Sequence, residues 1–133
     1  MSWRGESAAL ACLTFDVDAE APILAESGLY ARNAGVMSHQ AYGPLVGVPR
    51  ILDLLLEYRL PATFFVPGLT ADLHPECVGQ ILAAGHEVAH HSYAHVAPVD
   101  QSEEAERLGR GEASHLGSAR PRSERRVEEV DVE

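Results

Sequence analysis

Lysine is absent from this 133-residue chain, cysteine occurs twice and tryptophan once. No apolar run approaches the roughly 20 residues that span a bilayer. The ten basic residues are all arginine and stand against twenty acidic ones, a formal net charge of -10. Binding a phosphate backbone needs a clustered positive field, so no nucleic-acid partner is expected. Cys12 lies in an apolar run and Cys77 in a helix-like one. Both are places where small hydrophobes pack, which argues against a disulfide framework. The apolar stretch from Ala8 to Phe15 is too short to cross a membrane, and no small-residue cleavage site follows it. A cytoplasmic chain without a membrane partner is expected. Its length and 46% hydrophobic composition suit one domain with a small core.

What is present alternates between two patterns. Residues 8 to 15 form a nearly continuous apolar run ending in β-formers, which predicts a strand buried on both faces and stopped by two carboxylates. From Ala19 to Leu45 neither period is sustained, and Gly28, Gly35, Gly43 and Pro44 punctuate the chain. This stretch is expected to be a long functional loop. In VPRILDLLLEYR at 48–59, Val48, Ile51, Leu52 and Leu55 follow the i, i+3, i+4, i+7 rule, with Pro49 suited to a first helical turn. Pro61 ends that helix, and ATFFV at 62–66 predicts a second buried strand. A second helix is expected from Pro75 to Ala84, with Gly85 at its C-terminal cap, and HEVAH at 86–90 supplies a third strand. Strands alternating with helices predict a parallel α/β sheet or barrel, whose chemistry gathers at the carboxyl ends of the strands. Asp16 and Asp18 follow the first strand and His91 and His95 the third, so the two clusters should meet at one edge.

Residues 101–133 differ in character, with no aromatic side chain and fifteen charged ones. Asp100 and Glu103 predict one more short helix to about Leu108. The remainder has too little apolar area to offset the entropy of ordering, and is expected to be disordered. The chain thus divides into a folded part over 1–100 and a charged tail over 101–133.

His91 and His95 are four residues apart, a spacing that presents both imidazoles on one face if the segment makes a helical turn. Three histidines within HHSYAH also occur on solvated surfaces without any ligand. The string DVD at 16–18 adds the hard or borderline donor that two histidines need to close a catalytic zinc or related site. In an extended segment Asp16 and Asp18 point the same way. Aspartate at a strand end also serves turns and N-caps, which accounts for one of the two more readily than for both.

LTFDVDAE at 13–20, PATFFVPG at 61–68 and GHEVAHHSYAH at 85–95 resemble, in order and spacing, two motifs and the intervening strand of the polysaccharide deacetylase family, the NodB-homology domain of carbohydrate esterase family 4. The Asp-x-Asp-Ala-Glu spelling with YGPLVGVPRILDLL at 42–55 is similar to the branch containing peptidoglycan deacetylase-like proteins and cyclic imide hydrolases. This resemblance, over roughly residues 8–100, implies the N-terminal part of a distorted (β/α) barrel. It implies that Asp16 is the general base on the attacking water and that Asp18, His91 and His95 are metal ligands. Val17 stands where the commonest family spelling has its metal-binding aspartate, so the ligand is inferred one residue later. The implied metal is zinc, with cobalt or nickel as alternatives. The implied reaction is hydrolysis of a non-peptide carbon–nitrogen bond, either an N-acetyl group on carbohydrate or a small cyclic amide or imide.

Other polar residues carry weaker expectations. His90 is expected to point away from the pair, His86 and Glu87 to pack or hydrogen-bond, and Arg50 either to face the site or to lie exposed on its helix. Trp3 and Tyr42 are candidates for a pocket rim, while His39, His74 and His115 have no suitable partner at metal-ligand spacing. The family's later motifs, an Arg-x-Pro segment, a further Asp with Trp, and a histidine acting as general acid, have no counterpart here; Arg120-Pro121-Arg122 lacks the strand pattern that should precede it. The tail composition suggests a shifted reading frame or premature end. Two other readings therefore accompany the hydrolase: an inactive fragment that binds metal or a homologous partner, and a plain α/β domain. Unpaired sheet edges would favour aggregation or a homo-oligomer.

Overall fold

The computed structural model describes residues 11–97 and 102–104. Three parallel strands, β1 (Thr14–Asp16), β2 (Thr63–Val66) and β3 (Glu87–His90), form one sheet in the order β1-β2-β3. Parallel strands need crossovers, and each crossover here is helical. The first contains α1 (Ala21–Glu26), a 3₁₀ turn (Gly28–Arg32), α2 (Ala34–Gln40), a π-helical segment (Gly43–Gly47) and α3 (Val48–Glu57). The second contains α4 (Gly68–Leu73) and α5 (Pro75–Ala83). These elements form the N-terminal part of a (β/α) barrel.

Among the described residues the sheet is covered on one face only. Phe15 and Val17, Ala62, Phe64 and Val66, and Val88 alternate onto the side where Val48, Leu55, Ala71, Cys77, Val78 and Ile81 complete the core. Phe64 and Ile81 are fully buried, each contributing about 1.5–3 kcal/mol by removal from water. The intervening residues Thr14, Asp16, Thr63, Phe65, Glu87 and Ala89 occupy the other face, where Thr14, Asp16 and Glu87 are exposed. The expected burial of β1 on both faces is therefore corrected. Helices of this chain pack on one side, and the opposite side is the one that a closed barrel would turn inward.

The long loop expected over 19–45 is also corrected, to a chain of short helical segments. Each is only five to seven residues long, too short to display a period and too short to persist without tertiary support. Local caps mark them: Ser27 Oγ accepts from Leu29 N, and Asn33 Oδ1 accepts from Val36 N. At the entry to α3, Val48 N bonds back to Gly43 O, a π-type register. Pro49 has no N–H to donate and its ring crowds the carbonyl four residues earlier, so the winding widens there.

The predicted α3 and α5 form, and both end the same way. Leu60 N bonds Leu55 O and Arg59 N bonds Leu56 O after α3; His86 N bonds Ile81 O and Gly85 N bonds Leu82 O after α5. The left-handed residues of these two Schellman turns are Arg59 (φ 53°) and Gly85 (φ 85°). Each turn reverses the chain into the next strand. The structure also contains α4, over a stretch to which the sequence pattern assigned no element. Of the tail, Glu103 and Glu104 are helical; the rest of the expected helix to Leu108, the segment expected to be disordered, Trp3 and His115 lie outside the described residues. Cys12 is exposed and Cys77 buried, both as free thiols, and burial pushes the Cys77 thiol up to about 11. Among the described residues no helix is long and apolar enough to cross a membrane.

Candidate metal centre

Sheet register brings the two polar clusters to one level. Asp16 pairs with Phe65 and Phe65 with Ala89, and Val17 N continues the ladder to Phe65 O at 2.9 Å. Two residues further along each chain, Asp18 and His91 leave the sheet on the same face. His95 joins them, although the segment forms no helical turn. Ser92 (φ 57°) and His95 (φ 58°) are left-handed instead, and this bend doubles the chain back so that the imidazoles of His91 and His95 meet edge to face, their centroids 5.0 Å apart. The two clusters thus meet at one edge, and a left-handed bend, not a helical turn, brings the two imidazoles together.

His91 Nε2 lies 3.5 Å from Asp18 Oδ1, and His95 Nε2 lies 3.5 Å from Asp18 Oδ2. Ligand atoms from all three residues fall within 4.8 Å of one another. Bonds of about 2.0–2.1 Å at tetrahedral angles place neighbouring donors roughly 3.3 Å apart, so the spacing fits a zinc-sized ion. The orphaned Asp18 Oδ1 supports the fit, because it is buried with no hydrogen-bond partner among the described residues. A buried acceptor left unpaired is costly unless a cation takes it. Each of the three side chains remains about one-third exposed, which leaves room for further ligands.

Asp16 stands apart from this triad. It is exposed on the uncovered face, and together with Asp18 it lines an open cleft of about 460 Å³ that also includes Pro22, His39, Tyr42 and Ile51. Tyr42 thus sits at a rim, as expected, and accepts a 3.3 Å hydrogen bond from Arg50, whose side chain lies exposed on α3. Glu87 accepts from Thr63 Oγ1 at 2.7 Å. His86 tilts against Phe64 at 5.7 Å, and burial lowers its pKa. His90 is exposed.

Sequence reasoning missed the supports of the centre. Gly68 N donates to Ser92 O and Leu69 N to Tyr93 O. The ring of Tyr93 covers Gly68 so closely that a Cβ there would stand 2.3 Å from it, and the Tyr93 hydroxyl donates to Asp72 at 2.9 Å. On the other turn, Thr70 Oγ1 donates to the Asp18 carbonyl at 2.6 Å, and His74 Nε2 lies 2.7 Å from Glu20 Oε2. Glu20 appears in the DVDAE string and His74 precedes Pro75, but no spacing links residues 54 apart.

Comparison with known proteins finds relatives of this chain. A family model described as polysaccharide deacetylase matches residues 41–110. Peptidoglycan deacetylase of Helicobacter pylori is 46% identical over 54 residues, 41% of this chain and 18% of that protein. A Mycobacterium smegmatis crystal structure described as a polysaccharide deacetylase aligns with a TM-score of 0.75 and 51% identity, covering 79% of this chain and 37% of that one. The structure of the allantoinase Puue aligns with a TM-score of 0.64 and 25% identity over 79% of this chain and 40% of its own. The chain therefore matches about a fifth to two fifths of the length of these relatives.

Proposed function

This chain belongs to the polysaccharide deacetylase family, and on that premise we propose that it carries the ligand-bearing part of a metal-dependent site that removes N-acetyl groups from carbohydrate. The observation behind this reading is the convergence of Asp18, His91 and His95 from two strand ends around an otherwise unpartnered carboxylate oxygen. These three residues would hold a divalent metal; the mixed carboxylate and imidazole donors suit zinc, with cobalt or nickel as alternatives. Such an ion, when bound, supplies Lewis-acid polarisation of the amide carbonyl and lowers the pKa of water.

The remaining role falls to Asp16. It ends β1 two residues before Asp18 and lines the same cleft, and as a carboxylate outside the triad it is free to take the proton of the attacking water. Addition of water oxygen to the acetyl carbon, cleavage of the carbon–nitrogen bond and protonation of the leaving amine yield acetate and a free amino sugar. The likeness to an allantoinase supports a second substrate class for the same residues, a small cyclic amide or imide opened at one carbon–nitrogen bond.

Metal analysis of the purified chain tests the site: stoichiometric zinc, cobalt or nickel in the wild type, lost in His91→Ala, is the expected result, and a wild-type chain without metal overturns it. Turnover of N-acetylglucosamine oligomers against succinimide separates the two substrate classes, and Asp16→Ala should abolish whichever is found. Metal binding without turnover of either would instead identify an inactive metal-binding fragment.

A further inference from the structure

We propose that Glu20, His74 and Thr70 are positioning residues that set Asp18 against the two histidines, an inference that rests on the metal-site reading above. The turn carrying Asp18 is unusual in its surroundings. Val17, Ala19, Glu20 and Ala21 are all buried, at 5%, 9%, 5% and 0% exposure, while the Asp18 side chain between them remains 35% exposed. The backbone is thus clamped and the ligand projects from it.

Three observations identify the clamp. The Asp18 carbonyl accepts from both Thr70 Oγ1 at 2.6 Å and Ala21 N at 3.1 Å, which fills both of its lone pairs and fixes the peptide plane. Ala19 is held in the left-handed region at φ 48°, a conformation that a residue with a Cβ keeps only when its surroundings enforce it. The Glu20 carboxylate, at the N-terminal end of α1, makes no capping bond to that helix. It turns instead to His74, with side-chain exposures of 7% and 12%.

That last choice is informative because a buried carboxylate is expensive and an apolar side chain would fill the same space. A directional bond constrains where the turn sits, whereas apolar packing would let it slide. Thr70 and His74 belong to α4 and its C-terminal cap, and the same short helix holds Tyr93 through Gly68, Leu69 and Asp72. One element therefore gauges the distance between Asp18 and the histidine pair. Groups that orient a ligand in this way commonly change metal affinity about 10- to 100-fold when removed.

Cobalt(II) titration of the full chain, followed by its visible d–d absorption, tests the proposal. Glu20→Leu and His74→Leu should each weaken cobalt binding by about 10- to 100-fold and alter the band shape. Glu20→Gln, which keeps an oxygen for His74, should recover most of the affinity. Leu55→Ala, a core change remote from the turn, should retain wild-type affinity despite lower thermal stability. Thr70→Val removes only the hydroxyl bond and carries the same expectation where a leucine variant does not fold. Wild-type affinity and spectrum in Glu20→Leu, His74→Leu or Thr70→Val overturn the proposal, as does an equal loss in Leu55→Ala. A wild-type chain that takes up no cobalt overturns the metal reading itself.

Discussion

After β1 the chain passes through four buried residues, Val17, Ala19, Glu20 and Ala21, whereas after β3 the stretch from His91 to His95 stays partly exposed throughout. The first turn is held by side chains: Thr70 on the Asp18 carbonyl and His74 on Glu20. The second is held by backbone bonds from Gly68 and Leu69, by a tyrosine ring laid on a glycine, and by two left-handed residues. Both deliver donor atoms to one point. The difference teaches that ligand geometry can be secured either by burying the turn or by pinning an exposed turn to a helix start, and that the two are vulnerable to different changes.

The largest effect should come from removing what both turns stand on. Phe64 is fully buried at the centre of the sheet, and Phe64→Ala should cost about 3–5 kcal/mol, read by urea denaturation, with metal binding lost along with the fold. A change confined to the second turn is Gly68→Ala. Its Cβ would lie 2.3 Å from Tyr93, so the ring and the His91–His95 bend must move, at a cost of about 1–3 kcal/mol. Cobalt affinity should fall in this variant while Glu20 and His74 stay paired, and unchanged affinity would mean that the bend tolerates displacement.

Acidification should act through His86, immediately before β3. Burial lowers the pKa of His86 from 6.5, so the unfolded chain binds its proton more readily than the folded one. This contribution to stability is present above pH 6.5 and is lost as pH falls toward the depressed folded value. His86→Asn should reduce the decline in melting temperature between neutral and mildly acidic buffer; an identical decline would assign it to other groups. The smallest effect expected is that of Ser92→Gly. Ser92 has φ 57° and a buried hydroxyl with no partner among the described residues. Glycine relieves the strain but frees the unfolded chain, for a net change within about 1 kcal/mol, and a larger loss would show that the hydroxyl has a partner in solution.

Much of the frame was legible in the residues. The period of Val48, Ile51, Leu52 and Leu55 located α3, the run TFFV located β2, and Gly85 marked the end of α5. These signals survive because each is a dense local pattern, either an amphipathic stripe or a β-branched and aromatic run between prolines. The short helices over 21–47 and α4 were not legible. Six or seven residues cannot establish a period, and such helices persist only because the finished structure holds them.

Composition and pattern by themselves determined that strands and helices alternate, that the strands are parallel, and that Asp16, Asp18, His91 and His95 leave the sheet at one edge. Parallel connection and the two-residue alternation of a strand are local rules, and they need no knowledge of what packs where. Only the tertiary structure decided that a left-handed bend and not a helical turn joins His91 to His95, and that Glu20 finds His74 across 54 residues. Those outcomes depend on distances between segments remote in sequence, and such distances exist only once the sheet register and α4 have brought the segments together.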